Sequence, residues 1–139
     1  MNPELLRPGT VIVYPYLWKH QQSRGETEGR KGRPVCMILA VKSADGATHM
    51  VLLAISTKPP IAEQSAIEVP ETEHRRAGIG EAGRCWITVS EYNYDIVEDS
   101  FYLDPAQQPL GRFSRSFVTQ LAAQVAPLFR DKKGQVRRR

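Results

Sequence analysis

A group of basic side chains precedes the longest apolar run of the sequence. Arg30, Lys31 and Arg33 lie in "RKGRP", directly before the uninterrupted apolar residues 35–41. The glycine before Arg33 permits an unusual backbone turn and the proline after it fixes the strand entrance, so Arg33 is held more firmly than its neighbours. A guanidinium matches phosphate oxygens through a planar set of donors. The pattern predicts an anion contact at Arg33, and the alternative is a rim cation paired with an acid such as Glu91.

The elements that must position Arg33 are short strands. Runs of β-branched and aromatic residues are separated by Gly, Pro and Asp-Gly signals, and residues 19–32 form a long polar segment predicted to be a functional loop. Asp45-Gly46 predicts a hairpin turn. The predicted strands cover residues 10–18, 35–41, 49–55, 65–69 and 84–92, with a strand pair or irregular edge at 94–103.

The last element changes to helical period. Ser114 or Ser116 is suited to cap this helix, and Pro127 is expected to distort or end it. About five strands and one terminal amphipathic helix predict a mainly β (α+β) domain over residues 1–130, a small curled β-barrel closed on one side by the helix. The apolar positions at helical spacing are Phe117, Val118, Leu121, Val125 and Leu128.

The positive charge of the chain is concentrated at its end. The formal net charge is +4, but residues 130–139 hold six basic side chains against one acid, which leaves −1 for the remainder. Residues 131–139 are therefore predicted to be a basic, disordered tail. The high isoelectric point gives no assurance of a basic face on the folded body.

The sequence shows neither a membrane-spanning segment nor a cofactor motif. No apolar run approaches the roughly 20 residues that span a bilayer, and no secretory signal pattern is present, so we expect a cytoplasmic protein without a membrane partner. Cys36 and Cys85 are predicted to be reduced core thiols. His20, His49 and His74 lack metal-ligand spacing, and phosphate-loop and nucleotide motifs are missing, so neither a metal nor a cofactor is expected.

Five motifs in a fixed order carry a family resemblance. They are "PGTVIVYPY", "GRPVCMILAV", "MVLLAIST", "CWITVSEYNYDI" and the helix start "GRFS". Together they resemble the MazF/PemK/Kid family of bacterial toxins. The resemblance implies an SH3-like or CcdB-like barrel, a homodimer, and a metal-independent endoribonuclease of a type II toxin–antitoxin pair. Such an enzyme cleaves single-stranded RNA and is held in check by a cognate antitoxin protein.

The resemblance also implies site residues. The arginine before proline corresponds to Arg33, and the hydroxyl residue that ends the third strand corresponds to Ser56, with Thr57 as the neighbouring alternative. Metal-free cleavage uses the 2′-hydroxyl as internal nucleophile, so a fixed guanidinium and a hydroxyl donor would stabilise the charged phosphorane. His20 is the candidate proton carrier because its ordinary pKa lies near neutrality. The predicted RNA contacts are Arg30, Lys31, Thr57, Lys58 and Trp18, the last by base stacking.

The motif after Glu91 departs from the family pattern. Relatives often carry an arginine shortly after this glutamate, whereas residues 92–95 here are Tyr-Asn-Tyr-Asp. Nearby Glu98, Asp99 and Asp104 could repel a phosphate, and Arg84 could compensate only if the fold brought it close. Two alternatives therefore stay open: a barrel of the same descent that binds RNA or a protein without cutting, and a scaffold whose basic tail docks on an acidic partner.

Overall fold

The computed structural model describes residues 2–25, 32–80, 83–131 and 134–138. These ranges form a mainly β structure with eight strands and three α-helices, in agreement with the predicted α+β class. The helices are α1 Lys19–Gln22, α2 Glu71–Ala77 and α3 Arg115–Asp131. The strands are β1 Thr10–Tyr14, β2 Arg33–Lys42, β3 Thr48–Ser56, β4 Ala66–Glu68, β5 Trp86–Thr88, β6 Tyr92–Ile96, β7 Gly111–Arg112 and β8 Gln135–Arg137.

Strand β3 lies at the centre of the sheet. It pairs antiparallel with β2, with β6 through residues 49–52, and with β5 through residues 55–56. Beyond these neighbours the sheet continues from β2 to β1 and β7, and from β5 to β4. The predicted Asp45-Gly46 hairpin joins β2 to β3, and Gly46 adopts a φ of 90°, which favours glycine. The hairpin brings the start of β2 and the end of β3 to the same edge region.

Alternating residues of the sheet supply two hydrophobic clusters, one on each face. Helix α3 covers the first cluster with Phe117, Leu121 and Val125. The second cluster contains the aromatic side chains that precede α1, so these lie on the face of the sheet opposite the terminal helix. Its members include Leu5, Ile12, Tyr14, Tyr16, Trp18, Val35, Met37, Met50 and Leu52.

The two cysteines are buried and unpaired, as predicted. Cys36 belongs to the cluster beneath α3, and burial raises the pKa of its thiol to about 12. Burial also raises the pKa of Cys85. Both therefore act as small apolar core residues.

The helices differ in part from the predicted ones. Ser114 caps α3, because its hydroxyl oxygen accepts a hydrogen bond from the Phe117 amide at 3.2 Å. Of the two effects expected of Pro127, ending the helix is wrong, since α3 continues to Asp131. Helix α2 was not predicted, and its buried Glu73 accepts hydrogen bonds from the amide and hydroxyl of Ser114. Within the described ranges, no helix has the length and apolarity needed to cross a bilayer.

The end of the chain forms part of the sheet. In its described portion, residues 134–138, strand β8 pairs in parallel with β6, and Val136 is fully buried. The side chain of Arg138 is also buried, with its guanidinium 3.8 Å from the ring centroid of Tyr102 and a hydrogen bond to the carbonyl of Pro15. The predicted disordered tail is therefore wrong for these residues. Val136, which is buried, and Arg138, which lies over aromatic rings, therefore stabilise a segment whose composition is mainly basic.

Candidate functional site

A cleft of about 600 Å³ lies where β2 begins and β3 ends. Six of the eight predicted site residues line it, and the other two, Arg30 and Lys31, lie outside the described residues. The walls also include Tyr16, Gln64 and Trp86, which were not predicted as site residues. The six predicted residues are Trp18, His20, Arg33, Ser56, Thr57 and Lys58.

The strand pairing explains why residues so far apart in sequence meet. Arg33 is the first residue of β2, and it pairs with Tyr14 at the end of β1. Ser56 is the last residue of β3, which runs antiparallel to β2 with Val35 opposite Ala54. In an antiparallel pair the start of one strand lies beside the end of the other. The same edge therefore receives Arg33, Ser56 and the segment that follows β1.

Arg33 is the most distinctive group in the cleft. Its guanidinium carbon lies 5.3 Å from the ring centroid of Trp18, a cation–π distance. Its Nε is buried and has no hydrogen-bond partner among the described residues. Desolvation lowers the pKa of Arg33, but a guanidinium starts from so high a value that it stays charged. A guanidinium in the lining of an open cleft is suited to receive an anion.

Glu91 does not form the suggested pair with Arg33, because other groups bind its carboxylate. Glu91 is 3% exposed and accepts hydrogen bonds from the Lys19 amide at 2.8 Å, the Tyr16 hydroxyl at 3.3 Å and Gln64 Nε2 at 3.3 Å. Desolvation raises the pKa of Glu91. This carboxylate therefore lies behind the cleft and supports its walls.

The hydroxyl at the end of β3 makes a local turn bond. The Ser56 oxygen accepts a hydrogen bond from the Lys58 amide at 3.0 Å. A hydroxyl that accepts one bond still carries its own proton, so Ser56 can donate to a ligand in the cleft. Thr57 and Lys58 are exposed at the rim, where the ammonium of Lys58 can attract a polyanion.

His20 joins the aromatic wall of the cleft. Its ring stacks on that of Trp18, with centroids 6.1 Å apart and planes 13° from parallel. Helix α1, which starts at Lys19 inside the segment predicted to be a loop, carries this histidine. The same indole therefore contacts both the imidazole of His20 and the guanidinium of Arg33.

The opposite wall contains Trp86 and Gln64. Trp86 pairs with Ser56 across β5 and β3, a long-range register that no local sequence signal gives. The guanidinium of Arg84 stacks 4.9 Å from the Trp86 ring centroid and forms an ion pair with Glu68 at 2.9 Å. Arg84 does not line the cleft, so it does not replace the arginine that is missing after Glu91.

The acidic residues that follow β6 lie away from the cleft lining. Glu98 accepts hydrogen bonds from the amide and hydroxyl of Thr48, at the opposite end of β3 from Ser56. Asp99 and Asp104 do not line the cleft either. A phosphate in the cleft would therefore not lie against any of these three carboxylates.

A second cleft of about 660 Å³ lies beside α2. Its lining mixes acidic and basic side chains, and the Glu68–Arg84 pair already satisfies one of each. Among the residues that the structure describes, no group of three or more His, Cys, Asp or Glu side chains is arranged to hold a metal ion.

Comparisons of the chain with protein-family models, with curated proteins and with solved structures found no match. The resemblance to the MazF/PemK/Kid family therefore stays a prediction that rests on the sequence motifs.

Proposed function

We propose that this protein is a metal-independent endoribonuclease toxin of a type II toxin–antitoxin pair, related to the MazF/PemK/Kid family. The observation that carries the proposal is the cleft lining that brings the half-buried Arg33 together with Ser56 and His20. The substrate is single-stranded RNA, whose phosphate would occupy the place in front of Arg33. The aromatic wall suits an exposed base better than a paired one, because stacking needs a free base face.

The proposed reaction is an internal transfer at phosphorus. The RNA 2′-oxygen forms a bond to phosphorus as its proton leaves, and the bond from phosphorus to the 5′-oxygen breaks as that oxygen gains a proton. The products are a 2′,3′-cyclic phosphate and a 5′-hydroxyl end. Arg33 and the Ser56 hydroxyl would stabilise the negative charge on the phosphorane, and His20 would carry a proton. Trp18 is buried and contacts both His20 and Arg33, so it would hold these two side chains in place rather than stack on a base.

The finer features of the fold belong to the same proposal. We expect the curled sheet to close as an SH3-like or CcdB-like barrel and the protein to act in the cytoplasm as a homodimer. A cognate antitoxin would block the cleft. The two clusters on opposite faces of the sheet are compatible with this architecture, since the second cluster would fill the inside of the barrel.

The test is a cleavage assay in EDTA. We expect the purified protein to cut single-stranded RNA and leave cyclic phosphate and 5′-hydroxyl ends, identified by end-group analysis. Arg33→Ala should remove cleavage and leave circular dichroism unchanged, whereas Arg75→Ala, at an exposed position outside this cleft, should cleave like the wild type. Full activity of Arg33→Ala would refute the assignment of Arg33.

A second candidate function is a barrel of the same descent that binds RNA or a protein partner without cutting. It is favoured by one observation: residues 92–95, the stretch in which relatives often carry an arginine, hold none, and none of them lines the cleft. Among the described residues, Arg33 is the one arginine in the cleft lining. RNA binding without cleavage by the wild type, across varied sequences, would favour this candidate.

A further inference from the structure

The carboxylate of Glu91 connects two separate walls of the cleft. One wall is the segment from Tyr16 to His20, which follows β1 and begins α1. The other is the loop between β3 and β4, which ends near Gln64. Glu91 immediately precedes β6 and is almost completely buried behind both walls.

Each oxygen of this carboxylate serves a different wall. Oε2 accepts hydrogen bonds from the Lys19 amide and the Tyr16 hydroxyl, and Oε1 accepts one from Gln64 Nε2. Gln64 is fixed in turn, because its Oε1 accepts a hydrogen bond from the Ile61 amide. The spacing between the two walls is therefore set through a single side chain.

Burial makes these bonds matter more than surface contacts. Removing the partner of a buried polar group leaves it unsatisfied, which costs more than the bond itself contributes in water. The Tyr16 hydroxyl is enclosed as well, and desolvation together with the charge of Glu91 raises its pKa. The other charged groups that act here are His20, whose charge favours the ionised form of Glu91, and Arg33, which acts on Tyr16.

We infer that Glu91 is a positioning residue for RNA: it fixes the distance between the aromatic wall and the Gln64 loop, so that a phosphate at Arg33 and a base elsewhere in the cleft can be held together. This inference rests on the proposed function and gives Glu91 a role without contact to the substrate. Three donors behind the wall bind the two oxygens of this carboxylate, which explains why it is tolerated beside a site for a polyanion.

An exchange of the two side chains tests the connection. In Glu91→Gln the amide oxygen can keep the bonds from Lys19 and Tyr16, but the new NH₂ group faces the NH₂ group of Gln64. In Gln64→Glu two carboxylates face each other. The double variant Glu91→Gln/Gln64→Glu restores a donor opposite an acceptor, with the direction of the bond reversed. The matched control is Glu98→Gln, which removes a carboxylate bonded to Thr48 far from this cleft.

The kinetic readout separates positioning from chemistry. We expect each single variant to raise the KM for a single-stranded oligoribonucleotide about tenfold, as the loss of one buried hydrogen bond implies, with kcat changed by less than about threefold. The double variant should recover most of the loss, and Glu98→Gln should resemble the wild type. A double variant no better than Glu91→Gln would overturn the inference, as would a loss confined to kcat.

Amide hydrogen exchange supplies a readout that needs no RNA. The amides of residues 61–64 should exchange faster in Glu91→Gln and return to the wild-type rate in the double variant, while the Lys19 amide stays protected in both. If the wild type cuts no RNA, the proposed nuclease function fails, and the exchange pattern together with oligoribonucleotide affinity still decides whether Glu91 fixes the walls. Unchanged exchange of residues 61–64 in Glu91→Gln would overturn the inference whether or not RNA is cut.

Discussion

Arg33 and Arg138 lie in two different regions of the molecule, and each has its guanidinium over an aromatic ring. Arg33 is half-buried, lies 5.3 Å from the Trp18 centroid and lines the cleft. Arg138 is 6% exposed, 3.8 Å from the Tyr102 centroid, and donates to the Pro15 carbonyl. The aromatic contact is shared, so it does not by itself mark function. The difference is the open cleft in front of Arg33, which leaves room for a ligand.

The first prediction changes the shape of the charge at Arg33 and keeps its sign. Arg33→Lys should lower kcat/KM for RNA cleavage about a hundredfold, because an ammonium cannot present two parallel donors to a phosphate. The melting temperature should stay within about 2 °C of the wild type, since the Arg33 head group makes few bonds to the protein. Near-normal cleavage by this variant would mean that only charge matters at this position.

The second prediction applies the opposite expectation to Arg138. Arg138→Met should lower the free energy of unfolding by about 2 kcal/mol, because it removes a buried cation–π contact and the bond to the Pro15 carbonyl. Urea unfolding measures this change. Arg137→Met is the matched control, because Arg137 is exposed and the loss of its cation–π contact with Tyr94 should cost less than about 1 kcal/mol. Equal losses in the two variants would show that burial does not distinguish them.

The third prediction concerns Lys58, a cation that is expected to attract RNA without contacting a particular base. Lys58→Ala should weaken RNA binding a few-fold at low salt, with the same factor for every sequence, and lower the slope of log affinity against log salt by about one. Lys58 is exposed at the cleft rim, so its contribution should be mostly electrostatic. A change in sequence preference would instead place Lys58 against a base.

The sequence predicted those parts of the site that depend on local rules and antiparallel pairing. Restrained neighbours marked Arg33, and the Asp45-Gly46 hairpin was enough to bring the start of β2 beside the end of β3, where Ser56 lies. The sequence also predicted Ser114 as one of two candidate caps, because capping depends on adjacent residues.

What could not be predicted depends on long-range contacts. Helix α2 has one apolar side chain, Ala77, and its buried Glu73 is satisfied by Ser114, 41 residues away in sequence. The support of the cleft by Glu91 joins residues 72 and 27 positions apart. Strand β8 forms from a basic segment because β6 offers it a partner. None of these contacts has a local periodic signature, so the sequence could not predict them before the topology of the sheet was known.

The C-terminal strand also has a consequence for the time at which the cleft can form during synthesis. Arg138 donates to the carbonyl of Pro15 across 123 positions of sequence, and Pro15 directly precedes the aromatic wall. β6, which pairs with β8, carries the Asn93 that bonds both polar groups of the Leu17 backbone. Chains emerge from the ribosome amino end first, and contacts of such separation form late. A nascent chain that has not yet released residue 138 therefore carries Arg33 and Ser56 without the completed wall. The order of synthesis delays the completion of the cleft.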